Sequence, residues 1–184
     1  MSKKTVGIVV GSLRKGAFSK SVAECIGKML EKEFTVKMID ISNLAIFNQD
    51  FDDEGTTPKE WTAFRAEVKN ADAFLFVTPE YNRSIPPVLK NALDIASRPY
   101  GQNMWSGKPG AIVSVSPGGT GGFGANHHQR QTMSFLNIYM LQQPEMYIGN
   151  VTNLLDDKGN VSNQDTIKFF QSFANEYTKW INRF

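Results

Sequence analysis

Apolar and polar positions along this chain switch repeatedly between a period of two and a period near 3.6, from one end to the other. Thr5–Val10 is a β-branched apolar run stopped by Gly11, the pattern of a strand buried on both faces. Ser19–Glu31 carries Val22, Ala23, Ile26, Met29 and Leu30 at spacings of three and four, which predicts an amphipathic helix. Phe34–Ile39 predicts a second strand. A helix opened by Pro58 then carries Trp61, Phe64, Ala66 and Val68 down to Asn70. Ala73–Val77 is the clearest buried strand, and Pro86 and Pro87 suit the first turn before a helix over Val88–Ser97. Gly110–Ser114, Gln129–Leu141 and Glu145–Ile148 predict a fourth strand, a fourth helix and a short fifth strand. Ser162–Phe184, with Ile167, Phe170, Phe173, Ala174, Tyr177 and Ile181, predicts the closing helix.

Five β-α units in succession predict a parallel sheet with helices on both faces, because right-handed crossovers place them there. The expected fold class is α/β: a three-layer sandwich around a doubly wound, five-stranded parallel sheet of order 2-1-3-4-5. Neither a linker nor an internal repeat interrupts residues 1–184, so a single domain is expected.

Composition narrows the function classes. A chain of 184 residues, 41% of them hydrophobic, can bury a core without disulfides or structural metals. Cys25 is the only cysteine, which excludes an intramolecular disulfide and a cysteine-rich zinc site; its apolar helical position predicts burial. Met1–Lys4 runs straight into a six-residue strand, and no stretch approaches the ~20 apolar residues of a membrane span, so a soluble, cytoplasmic protein is expected. A net charge of +2 without a basic stripe points away from nucleic acid.

In an open α/β sheet of this order, ligands sit beyond the carboxyl ends of the strands, between strands 1 and 3. All three loops expected there are chemically unusual. The first, Gly11-Ser12-Leu13-Arg14-Lys15-Gly16-Ala17-Phe18-Ser19, combines hydroxyls, a cation and a helix N-terminus, the ingredients of a phosphate cradle. It is no P-loop, because Ala17 and Phe18 stand where lysine and serine or threonine belong. Taken alone it also reads as a helix capped by Ser19 beside a solvated Arg14. The second, Thr78-Pro79-Glu80-Tyr81-Asn82-Arg83-Ser84-Ile85-Pro86, offers an aromatic wall and amide groups to a flat ring, or is simply a proline-rich turn. The third, Ser116-Pro117-Gly118-Gly119-Thr120-Gly121-Gly122-Phe123-Gly124, has five glycines in nine residues, so its backbone can approach a ligand closely; a floppy turn is the alternative. Phosphate at the first loop and a planar ring at the others fit FMN. ATP fits less well, since no magnesium-binding hydroxyl follows a P-loop lysine.

Other residues that draw the eye have plainer readings. His127 and His128 are too few for a metal site and read as surface or interface residues, so no metal is expected. Asp50, Asp52, Asp53 and Glu54 read as a solvated, mobile loop rather than a cation cluster.

The motifs Gly11-Ser12-Leu13-Arg14…Ser19, Thr78-Pro79-Glu80-Tyr81-Asn82…Leu89-Lys90-Asn91-Ala92…Asp94 and Ser116…Gly118…Gly121-Gly122 resemble the NADPH-dependent FMN reductase family. That group, flavodoxin-like in fold, includes bacterial quinone, chromate and azo-dye reductases, and the resemblance runs from about Lys4 to Gly149. It implies that Ser12, Arg14 and Ser19, with the amides around Leu13 and Phe18, hold the FMN phosphate. It also implies that Pro79, Glu80, Tyr81 and Asn82 line the flavin ring beside Ser116 and Gly118. Homodimers or homotetramers are implied, with Glu145 at a position involved in assembly. One departure is Ile95-Ala96 after Asp94, where many relatives carry an aromatic residue.

The activity so implied is a ping-pong cycle in which NADPH or NADH reduces FMN and an oxidised acceptor (a quinone, azo compound or flavin) follows. No catalytic side chain is expected, because the flavin carries the chemistry. The alternative class is a flavodoxin-like electron carrier or regulatory flavin protein without turnover. The near-neutral charge weighs against a carrier, since that family is strongly acidic.

Overall fold

Side chains alternate strictly across the three central strands of the computed structural model, which describes residues 3–184. Met1 and Ser2, the start of the short polar N-terminal segment, lie outside the described residues. The strands are β1 (Thr5–Val10), β3 (Ala73–Pro79) and β4 (Pro109–Val115), with β2 (Thr35–Ile39) on the outer side of β1. Val6, Ile8, Leu75, Val77 and Val113 point to one face, where α1 (Phe18–Leu30) and α6 (Gln164–Ile181) cover them. Val9, Phe74, Phe76 and Ile112 point to the other, beneath α3 (Lys59–Asn70), α4 (Pro87–Ala96) and α5 (Phe123–Phe135). A sheet buried on both faces explains the near-continuous apolar runs that mark these strands in the sequence.

The order is β2-β1-β3-β4-β5, all parallel, as the alternation of elements predicts. The fifth position differs from expectation because two short strands share it. β5 (Tyr139–Met140) pairs with the start of β4 and β6 (Met146–Ile148) with its end.

The fourth predicted helix is displaced by six residues. It begins at Phe123, inside the glycine-rich segment, and ends at Phe135 rather than running over Gln129–Leu141. Asn137 takes a left-handed conformation (φ 57°) that stops it. Ile138 and Leu141, at the end of the expected helix, are instead buried on either side of β5. The other boundaries fall within a few residues of expectation, with Pro86 capping α4 and Pro87 opening it.

The acidic segment is also corrected. Asp50–Asp53 forms the short helix α2, and Asp52 is no solvated loop residue. Its carboxylate accepts two hydrogen bonds from the Arg65 guanidinium, at 2.7 and 2.6 Å, and one from the Thr57 hydroxyl at 2.8 Å. Arg65 Nε donates to the Ile95 carbonyl at 2.9 Å, so one ion pair ties α2, α3 and α4 together. Asp50, Asp53 and Glu54 remain exposed. Cys25 sits half-buried at the margin of the core rather than within it, and burial pushes its thiol pKa up.

Candidate functional site

The carboxyl ends of β1, β3 and β4 open into one cleft of about 340 Å3. From the loop after β1 it receives Ser12, Arg14, Ala17, Phe18 and Ser19. The loop after β3 contributes Pro79, Glu80 and Tyr81, and the end of β4 contributes Val115, Ser116 and Pro117. Eight of the eleven residues singled out from the sequence therefore share a single cavity. The parallel register explains why, since it brings Val10, Val77 and Val113 level with one another, so all three strands end at the same edge of the sheet.

The first loop is shaped for an anion. Helix α1 starts after Ala17, which offers no side-chain cap, so the positive end of the helix faces the cleft unneutralised. Ser19 is 2% exposed, and its hydroxyl has no hydrogen-bond partner among the described residues. A buried hydroxyl without a partner costs roughly 1–3 kcal/mol, a penalty that a phosphate oxygen in the cleft would relieve. This orphan group also decides against Ser19 as the helix cap. Arg14 rests against its own loop, its guanidinium donating to the Gly16 carbonyl at 3.0 Å and lying 5.1 Å over the Phe18 ring. The Ser12 and Tyr81 hydroxyls approach to 3.4 Å, so the first and second loops meet at the mouth of the cleft.

Glu80 does something the sequence did not suggest. One carboxylate oxygen accepts the Ala125 N–H at 3.0 Å, in the first turn of α5, and the other lies 3.4 Å from the Arg83 guanidinium. Gly124 makes this possible: a Cβ there would stand 2.8 Å from the Arg83 carbonyl and 2.9 Å from the Glu80 carboxylate. Glu80 thus joins the second loop to the third and supplies the negative charge that a helix N-terminus favours. Glu80→Ala is expected to cost about 2 kcal/mol, the scale of a hydrogen bond to a charged group. Glu80→Gln, which can still accept, should cost about half as much. Denaturant unfolding of the full chain checks both; equal losses would show that the hydrogen bond to Ala125 adds nothing beyond the charge.

Three predicted residues stand off the cleft wall. Leu13 is half-exposed and lines a neighbouring depression. Asn82 (φ 50°) and Arg83 (φ 66°) form the exposed corner of a tight turn in which Tyr81 and Ser84 exchange two 3.0 Å backbone hydrogen bonds. Gly118 donates its N–H to the Ser116 hydroxyl at 3.0 Å and shapes the turn after β4. Conversely, Ala17, Val115 and Pro117 line the cleft without having been singled out. Val115 and Pro117 flank the predicted Ser116, and that adjacency was their only signal.

On the outer face of α5, Phe123, His127 and Tyr147 form an aromatic group, with His127 Nε2 3.0 Å from the Tyr147 hydroxyl. Burial and the neighbouring Glu145 push the Tyr147 pKa up to about 12. Glu145 lies 4.0 Å from Arg130. His128 contacts the Ser84 hydroxyl at 3.0 Å, so both histidines are exposed surface groups in this chain.

Comparison with known proteins identifies this architecture. Residues 4–153 match the NADPH-dependent FMN reductase family. The chain belongs to that family. A quinone reductase of Pseudomonas putida is 47% identical over 177 residues, covering 96% of this chain and 94% of the relative. A 2-hydroxy-1,4-benzoquinone reductase of a Burkholderia species is 43% identical, covering 96% and 95%. Among solved structures, the flavoenzyme NAD(P)H:acceptor oxidoreductase FerB of Paracoccus denitrificans superimposes with a TM-score of 0.91 at 34% identity over 98% of both chains. A Pseudomonas aeruginosa flavodoxin, with a TM-score of 0.60 at 18% identity, shares the fold. This reductase is accordingly an NAD(P)H-dependent, FMN-using oxidoreductase with a flavodoxin-like α/β fold. No described helix of the reductase is long and apolar enough to cross a membrane.

Proposed function

We infer that the cleft beyond β1, β3 and β4 is the FMN site, and that the reductase passes electrons from NAD(P)H to quinones. The observation that carries the placement is the buried, unpartnered Ser19 hydroxyl at the start of α1. It fits an oxygen of a phosphate monoester, with Ser12 and Arg14 close enough to share the charge once Arg14 leaves the Gly16 carbonyl. Pro79, Glu80, Tyr81 and Ser116 then border the ring. Leu13, Asn82 and Gly118 support the loops rather than touch it. When bound, FMN supplies the ring that takes up hydride from the nicotinamide and hands two electrons onward. The protein's part is to grip the phosphate, present an open ring face and leave the mouth wide enough for two planar reactants in turn. The quinone acceptor is supported by the names of the relatives sharing 43–47% of their residues with this chain.

A single domain over residues 1–184, a cytoplasmic location and a homodimer or homotetramer complete the reading. Assembly is supported by large apolar side chains left outside the fold, with Tyr100 at 92% and Phe135 at 84% exposure. Glu145, half-buried beside Arg130, is a candidate contact between copies.

Steady-state oxidation of NADH and NADPH by the FMN-loaded protein, with a soluble quinone, tests the function. Turnover with parallel-line ping-pong kinetics is expected. A yellow, FMN-loaded protein that reduces no quinone with either nucleotide would make it an electron carrier instead.

A further inference from the structure

A second, smaller opening adjoins the cleft at the phosphate loop. It lies where β1 and β2 end and measures about 180 Å3. Ser12 lines both openings, so they meet beside the hydroxyl assigned to the flavin phosphate. Leu13 and Met38 form apolar walls, yet leave 48% and 47% of their surface to solvent. The rim carries charges of both signs. Among the described residues Lys20, in the first turn of α1, is engaged only by a loose 3.9 Å pair with Glu24. Asp40 accepts the Ser42 N–H through one oxygen, at 2.8 Å, and its second oxygen has no hydrogen-bond partner among the described residues.

We propose that this opening is a subsite for an adenosine 5′-phosphate group. The proposal rests on the reading that the loop from Ser12 to Ser19 holds the flavin phosphate. A group esterified to that phosphate must leave the cradle through whatever space adjoins it, and the opening shares Ser12 with the cradle. Its size falls below the ~300 Å3 at which pockets for whole drug-sized ligands begin, so it takes one ring system rather than an entire dinucleotide. A flat heteroaromatic base suits two flexible apolar walls, Met38 in particular. Lys20 meets the adenylate phosphate, and the outer oxygen of Asp40 accepts from a ribose hydroxyl or the exocyclic amine. Two carriers bring this chemistry: FAD, whose adenylate extends from the flavin phosphate itself, and NAD(P)H.

Met38 is exposed on an edge strand and touches no part of the flavin cleft, so its replacement tests the subsite without disturbing the cradle. The full chain, wild type and as Met38→Ser and Lys20→Gln, is titrated with FMN and with FAD. In parallel, the FMN-loaded enzyme is assayed with NADH and with reduced nicotinamide mononucleotide, which lacks the adenylate. If FAD is the carrier, both substitutions weaken FAD binding fivefold or more and leave FMN within twofold. If the nicotinamide dinucleotide is the carrier, they raise KM for NADH by that factor at unchanged kcat and leave the mononucleotide unaffected. Both arms unmoved would overturn the proposal. So would a change confined to the sedimentation of Met38→Ser, which would mean that a second copy of the chain covers the opening. Failure of the underlying reading looks different: FMN would bind Ser19→Ala as tightly as wild type.

Discussion

Asp52→Asn is expected to destabilise the folded chain by about 3 kcal/mol, the lower end of what removing one partner of a buried ion pair costs. The Arg65 and Asp52 side chains are 9% and 6% exposed, so the substitution leaves a guanidinium with little water to turn to. Its Nε would keep the Ile95 carbonyl and one N–H could still donate to the amide oxygen, but the other would face an amide NH2, and the guanidinium would lose its counter-charge. For a domain of this size the loss corresponds to a fall in Tm of roughly 6–12 °C. The effect has a pH signature. The hydrogen bonds from Arg65 hold the Asp52 carboxyl below its ordinary value of 3.8 in the folded state. Its contribution is therefore complete above that value and disappears as pH falls through the lower, folded-state pKa. Wild type and Asp52→Asn should differ most near neutrality and converge in strong acid. Thermal unfolding over that range checks this, and a constant difference would mean that the charge is not what matters.

Gly121→Ala is expected to cost a similar amount, about 3 kcal/mol, for a different reason. Gly121 has φ 60°, and a Cβ there would stand 2.6 Å from the Tyr147 carbonyl carbon and 2.9 Å from its oxygen. Left-handed backbone costs a residue with a side chain roughly 1–2 kcal/mol, and pressing into a neighbouring backbone adds another 1–3. The backbone of β6 cannot step aside as a flexible side chain would. The strain should move the loop after β4 and loosen flavin binding along with stability. Gly119→Ala is the control: nothing lies within 4 Å of its Cβ and its φ is not positive, so it should change stability by less than ~0.5 kcal/mol. Equal effects at the two positions would show that the glycines serve ligand access rather than packing on Tyr147.

The contrast between these glycines marks where reading the sequence succeeds and where it stops. Thr5–Val10 and Ala73–Val77 announce themselves because a parallel strand covered on both faces has no polar positions to confuse the pattern. From those strands and their order, the crevice follows by topology, and so does most of the cleft. The start of α5 is hidden, because its N-terminus is stabilised from a distance by Glu80 and it begins directly after a run of glycines. Asp52 was misjudged for a related reason. Its partner Arg65 lies thirteen residues further along, and nothing in either local pattern pairs them. The roles of Glu80 and Gly121 depend likewise on long-range contacts, with Ala125 and Tyr147, that no spacing rule encodes. Leu13 shows the limit at the scale of one side chain. Its place in the motif next to Ser12 and Arg14 is clear, but which of two adjoining openings it faces depends on the backbone.

If the loop after β1 holds the flavin by its phosphate, then riboflavin, which is FMN without that phosphate, should be indifferent to changes in the loop. Wild type and Ser19→Ala are titrated with both. Ser19→Ala should weaken FMN binding by about tenfold to a hundredfold, the value of one hydrogen bond to a charged group. Riboflavin affinity should stay within twofold, and the ligand-free variant should be no less stable than wild type, because the hydroxyl removed is buried without a partner. FMN and riboflavin weakened alike, or neither weakened, would contradict the assignment of the phosphate to this loop.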